Sequence, residues 1–234
     1  MLLPNAPEQT PEAEGIGACR GSRNDIWILE EAAGHLRGSS KAEQRELRLY
    51  RVRQGQHALF GSIQLESDTS RLEAIEQLLK KVRLGVVVAS HHILGANQLI
   101  SLLDKLNLSY VVEVNHNLSV AFSRVKWDED KPRITDRVKR ADWRRFRLAG
   151  KATEAYVAPV GQGTSSAGTA YFFALSIGGI PSYRRGILVG ATNIEGPQAK
   201  LSELGRLLAY PKWLRLKVRA HQRIADAPVQ DPSK

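Results

Sequence analysis

Between Gly85 and Asn115 the chain passes from one short apolar run to another through a helical stripe. Val86-Val87-Val88-Ala89 is continuous, apolar and largely β-branched. Leu99, Ile100, Leu102, Leu103 and Leu106 then recur at helical spacing, and Tyr110-Val111-Val112-Glu113-Val114 is the second run. This pattern predicts strand, helix, strand. A crossover of this length implies a parallel pair with a right-handed connection. In such sheets ligand chemistry gathers outside the carboxyl ends of the strands. Here that end carries Ser90, His91 and His92.

Upstream, Asp25-Ile26-Trp27-Ile28-Leu29 predicts a strand that ends in Glu30-Glu31, with a turn-like stretch from Gly34 to Ser40. Glu46 to Arg53 alternates charged and apolar residues, the mark of a strand with one wet face. Gln54-Gly55-Gln56 turns the chain, and His57 to Leu65 completes a hairpin. Asp68, Thr69 or Ser70 caps a helix whose stripe is Leu72, Ile75, Leu78, Leu79 and Val82. Downstream, Glu154–Val160, Thr169–Ile177 and Gly186–Thr192 predict strands, with Gly161 to Gly168 a flexible loop. Pro197 sits near the start of a helix through Leu201, Leu204, Leu207 and Leu208, which Tyr210-Pro211 breaks. A basic helix follows from Trp213 to Ile224.

The order is three strands, then helix, strand, helix, strand, then a strand-rich portion and terminal helices. It predicts a mixed α/β (α+β) fold: the order is that of a ribonuclease-H-like mixed sheet flanked by helices, with other mixed α/β folds also within reach. Residues 1–22 are rich in Pro, Glu, Gly and Ala without periodicity and are expected to be a disordered tail, as is 226–234. The core is expected over residues 23–225.

Charge narrows the partner class. The 234 residues carry a net charge of +10, which favours a polyanionic partner, nucleic acid first. Residues 124 to 151 are densely basic, with Trp127, Trp143 and Phe146 interleaved. Arg137, Lys139, Arg140, Arg144 and Arg145 are candidate phosphate contacts, with Trp143 or Phe146 against sugar or base. Asp128, Glu129, Asp130, Asp136 and Asp142 leave open a self-compensated solvated face instead. Arg215, Lys217 and Arg219 lie in a stretch without acids and form the cleaner anion-binding candidate. The single cysteine, Cys19, excludes an internal disulfide and a cysteine-rich zinc site. No run approaches the roughly 20 apolar residues of a membrane helix, and the first residues lack the pattern of a secretory signal. A cytoplasmic protein without a membrane partner is expected.

Four pieces occur in an order that resembles the core of DDE-type bacterial insertion-sequence transposases. Trp27-Ile28-Leu29-Glu30-Glu31-Ala32 with Gly34-His35-Leu36-Arg37-Gly38 is similar to that family's strand ending in Asp and its adjoining loop. Val86 to Ser90, a helix, then Leu108 to Val114 resembles its second-carboxylate strand with the helix and strand next in its order. Ile187 to Asn193 is similar to a later strand, and Tyr210-Pro211-Lys212-Trp213 to the motif on its last catalytic helix. The resemblance implies DNA as partner, Mg²⁺ as cofactor if active, and a possible homo-oligomer. It implies three carboxylates around two metal ions that activate the attacking oxygen and stabilise the leaving one.

The chain departs from that pattern. Glu30 or Glu31 stands at the first position, Ser90 at the second and Leu216 at the third; Glu203 is a substitute for the third. With one ligand of three retained, the resemblance implies a DNA-binding, transposase-like protein, catalytically impaired or truncated. Two alternatives stay open: a non-catalytic nucleic-acid-binding protein on the same scaffold, and a small-molecule-binding α/β domain. His91-His92, just after the strand, is expected to be a loop of solvated or hydrogen-bonded histidines, because neighbours at strand spacing point to opposite faces and rarely share one ion.

Overall fold

Three strands begin the sheet: β1 (Ile26–Gly34), β2 (Gln44–Arg53) and β3 (Gln56–Leu65). Each pairs antiparallel with the next. Helix α1 (Arg71–Leu79), strand β4 (Val86–Ser90), helix α2 (Ala96–Lys105) and strand β5 (Ser109–Val114) come after them. Then come β6 (Ala121–Phe122), α3 (Ile134–Lys139), β7 (Arg144–Arg147), β8 (Glu154–Ser165), β9 (Gly168–Ile177) and β10 (Ile187–Thr192). A 3₁₀ turn, Pro197–Lys200, leads into helix α4, residues 201–211. The computed structural model describes residues 25–34, 44–53, 56–66, 70–122, 134–148, 153–178 and 186–211. Both expected tails, the turn from His35 onward, the helix over Trp213–Ile224, and Arg215, Leu216, Lys217 and Arg219 lie outside the described residues.

The strands form one ten-stranded sheet in the order β3-β2-β1-β4-β5-β10-β9-β8-β6, with β7 also paired to β8. β1, β4 and β5 are parallel. The first five strands thus take the 3-2-1-4-5 order of a ribonuclease-H-like sheet, within a mixed α/β fold. β10 joins β5 antiparallel and carries the sheet on into the strand-rich half.

Both faces of the central strands are covered, which is why β4 is apolar at nearly every position. One face buries Trp27, Leu29, Val87, Ala89 and Val112 with Ile75, Leu78 and Leu79 of α1 and Leu99 and Leu103 of α2. The other buries Ile28, Val88, Val111 and Phe173 with Leu201, Leu204, Leu207 and Leu208 of α4. Ser70 caps α1, its Oγ accepting the Glu73 N–H at 3.5 Å. Leu72, expected in the α1 stripe, is exposed, and Val82 is buried just past the end of the helix.

Gly85 starts β4 beside β1 at φ +111°, and a Cβ there would lie 2.3 Å from the Asp25 carbonyl oxygen. Only glycine admits that approach.

Two sequence expectations about the elements need correction. Residues 161–168 are not a flexible loop: β8 runs on to Ser165 and the turn is Ser166-Ala167. Glycine there serves close packing, since a Cβ on Gly163 would lie 2.4 Å from Val120 Cγ1. Tyr210-Pro211 does not break α4, which is helical through residue 211.

Candidate functional site

The carboxyl ends of β1, β4 and β5 lie side by side. Ile28 pairs with Val88, and Ser90 pairs with Glu113. Continuing the β1–β4 register by two residues brings Glu30 level with Ser90. Ile28, Val88 and Val111 all face the α4 side of the sheet. Side chains alternate along a strand, so Glu30, Ser90 and Glu113, two residues further on each, face that same side. Glu30 is 8 % exposed and Ser90 4 % exposed, while Glu113 is half-buried.

Glu31 turns to the opposite face. Its Oε1 receives Arg71 Nη2 at 2.9 Å and lies 3.8 Å from Arg45 Nη1. Those partners belong to α1 and β2, so Glu31 ties the first helix to the sheet. Glu203 is exposed on α4, whose leucines form the side that meets the sheet.

The histidine pair lies in a turn after the strand, as expected, but its rings are not set apart. β4 ends at Ser90, so His91 and His92 open a turn and do not continue the strand. Strand alternation does not apply to them, and their rings lie together, centroids 3.9 Å apart with 40° between planes. The turn is held by backbone bonds. The His91 N–H donates to the Glu113 carbonyl at 2.9 Å, and the Gly95 N–H to the His91 carbonyl at 2.7 Å. One potential ligand atom from each of His91, His92 and Glu113 lies within 4.8 Å of the other two. Burial pushes the His91 imidazole below its ordinary value of 6.5, and His92 pushes it the same way against the pull of Glu113. His91 is therefore neutral near pH 7.

Hard Mg²⁺ takes charged oxygen donors in an octahedron. This face offers Glu30, the Ser90 hydroxyl and Glu113, with the two acids two strands apart, about 9.6 Å between backbones. Two imidazoles stand beside Glu113. The described donors do not fit the paired Mg²⁺ ions that the transposase resemblance implies, so no step is routed through them.

No family model matches this sequence, and no curated protein matches it.

The basic candidates divide by burial. Arg137 Nη1 reaches the Val160 carbonyl at 3.4 Å, and its guanidinium carbon sits 4.3 Å from the Phe122 ring centroid. Lys139 pairs with Asp136 at 3.7 Å, and Arg145 pairs with Glu154. Arg140, Arg144 and Arg147 are exposed. The aromatic candidates turn inward: Phe146 is buried in the α4-side core, and Trp143 is half-buried against the other core. Arg206 of α4, missed in the sequence, is exposed; its Nη2 meets the Arg147 carbonyl at 3.4 Å and its guanidinium carbon is 5.8 Å from the Phe146 ring centroid. Among the described residues no helix is long and apolar enough to cross a membrane.

Glu113 is the site residue that sequence reading missed. Its signal was a single carboxylate inside an apolar run, at a position whose facing becomes visible only once β5 is paired with β4.

Proposed function

We propose that this chain is a DNA-binding relative of the DDE-type insertion-sequence transposases that has lost metal-dependent strand cleavage. One observation carries the reading: the strand ends that would hold the first two family carboxylates are neighbours, and the pair that stands there is Glu30 and Ser90. A serine hydroxyl is neutral and cannot bridge two divalent ions as a carboxylate does. Binding rests on the exposed arginines Arg140, Arg144, Arg147 and Arg206, which neutralise phosphates without reading bases.

The test is anisotropy of a labelled DNA duplex at about 50 and about 200 mM salt, with nicking monitored in parallel in Mg²⁺. Three phosphate contacts alone weaken binding roughly forty-fold across that range. Substituting Arg140, Arg144 and Arg147 together by Ala is expected to weaken binding and flatten the salt dependence. A flat dependence in the parent chain overturns DNA binding. Mg²⁺-dependent nicking that disappears in Glu30→Gln overturns the loss of chemistry.

A further inference from the structure

We propose that His91, His92 and Glu113 form a binding site for one divalent transition-metal ion of the Zn²⁺ class. The three donors come from two elements that the backbone already fixes to one another. The His91 N–H is bonded to the Glu113 carbonyl, Ser90 pairs with Glu113, and the Ile93 N–H closes the turn on the Ser90 carbonyl at 3.1 Å. What the ion requires of the chain is therefore side-chain rotation alone. Donors held about 2.0 to 2.1 Å from a tetrahedral ion are about 3.4 Å apart. The three atoms here lie within 4.8 Å of one another.

A second observation points the same way. His91 Nδ1 is buried and has no hydrogen-bond partner among the described residues. A buried polar atom left so is costly unless something supplies the missing contact. A metal ion supplies it directly through that nitrogen, or draws the ring into a new position through the other.

The donor chemistry selects the ion. Two imidazoles and one carboxylate suit Zn²⁺, Fe²⁺, Ni²⁺ or Cu²⁺, while Mg²⁺ and Ca²⁺ prefer oxygen alone. His92 is exposed, so the site is open to entry from solvent. Three protein ligands leave a fourth position for water, the pattern of sites that activate it. The inference stands apart from the DNA-binding proposal: the cluster uses none of the exposed arginines, and it holds whether or not the chain binds DNA.

The experiment is calorimetric titration of the full, chelator-treated chain with Zn²⁺, repeated with Mg²⁺, and Co²⁺ titration read by visible absorption. One equivalent of Zn²⁺ is expected, with Co²⁺ giving the intense bands of a four-coordinate site and Mg²⁺ giving no heat of binding. His92→Ala and Glu113→Gln are each expected to weaken Zn²⁺ at least tenfold. His57→Ala, on the distant edge strand β3, leaves binding unchanged. His92 is exposed, so its variant keeps the fold and remains informative should Glu113→Gln unfold. Absence of stoichiometric Zn²⁺ binding overturns the proposal, and so does binding that survives His92→Ala at full strength.

Discussion

Arg51 grips the carboxylate of Asp25 through two nitrogens, Nη2 at 2.8 Å and Nε at 3.0 Å, both on Oδ2. Asp25 is fully buried, and Arg51 keeps about a quarter of its side chain in solvent. Breaking a buried ion pair by removing one partner costs about 3 to 5 kcal/mol. Arg51→Ala is therefore expected to destabilise the chain by about 3 kcal/mol in urea unfolding. A loss under about 1 kcal/mol, the ordinary worth of a surface pair, would show that Arg51 is not the main support of the Asp25 carboxylate.

Gly190 makes a second prediction. A Cβ there would lie 2.4 Å from Phe173 Cζ, on a ring that is fully buried across the β9–β10 pair. Gly190→Ala overpacks this contact and is expected to cost about 2 to 3 kcal/mol. In a Phe173→Leu background the same change should cost less, because the two residues are in contact and their effects do not add. Equal costs in both backgrounds would remove the ring as the cause.

Asn193 joins the end of β10 to the start of β5. Its Oδ1 accepts the Tyr110 N–H at 3.1 Å, and its Nδ2 donates to the Leu108 carbonyl at 3.0 Å and to Asp104 Oδ1 at 3.2 Å. Burial holds the Asp104 carboxyl above its ordinary value of 3.8, opposed by the Asn193 bond. The folded chain therefore keeps this proton to higher pH than the unfolded chain does. Its contribution to stability is complete below the ordinary value and is lost as pH rises through the folded value. Asp104→Asn removes that loss, so unfolding midpoints of parent and variant should diverge in the variant's favour as pH rises from about 4. Parallel profiles would exclude the Asp104 carboxyl as the source.

His91 has the opposite sign. Its imidazole is held below 6.5 by burial first and by His92 second. The unfolded chain takes up the proton first as pH falls. The stabilising contribution is complete above the ordinary value and is lost as pH falls through the folded value. In chelator, the parent chain is expected to lose more stability between about pH 7.5 and about pH 5 than His91→Gln does. An equal loss in both would place the acid sensitivity in other groups.

The sequence is legible where it keeps its periodicity. β4 and β5 are apolar because both faces are covered, so they stand out as runs; α1 and α2 show their stripes. β7 is only Arg144 to Arg147, three arginines around one phenylalanine, too short and too charged to separate from a basic loop. The glycines of β8 imitate a loop in the sequence, whereas their purpose is to admit Val120 and a register shift between Pro159 and Gly161. At the site, Glu30 is visible because it follows an apolar strand, whereas Glu113 hides inside one. Sequence pattern places His91 and His92 after the strand but does not show how the two rings lie; the turn sets their centroids 3.9 Å apart.

The pairing of β5 with β10 also has a consequence during synthesis. Tyr110, Val111, Val112 and Val114 are covered in the finished sheet, but their antiparallel partner arrives about 75 residues later, Val189 opposite Val114. At translation rates of roughly 5 to 20 residues per second, that edge stays open for about 4 to 15 s on the ribosome. An apolar strand with unpaired backbone is a template for a neighbouring chain. The nascent protein therefore passes through an interval in which a strand covered in the finished sheet presents an open backbone edge, until residues 189–192 arrive to pair with it.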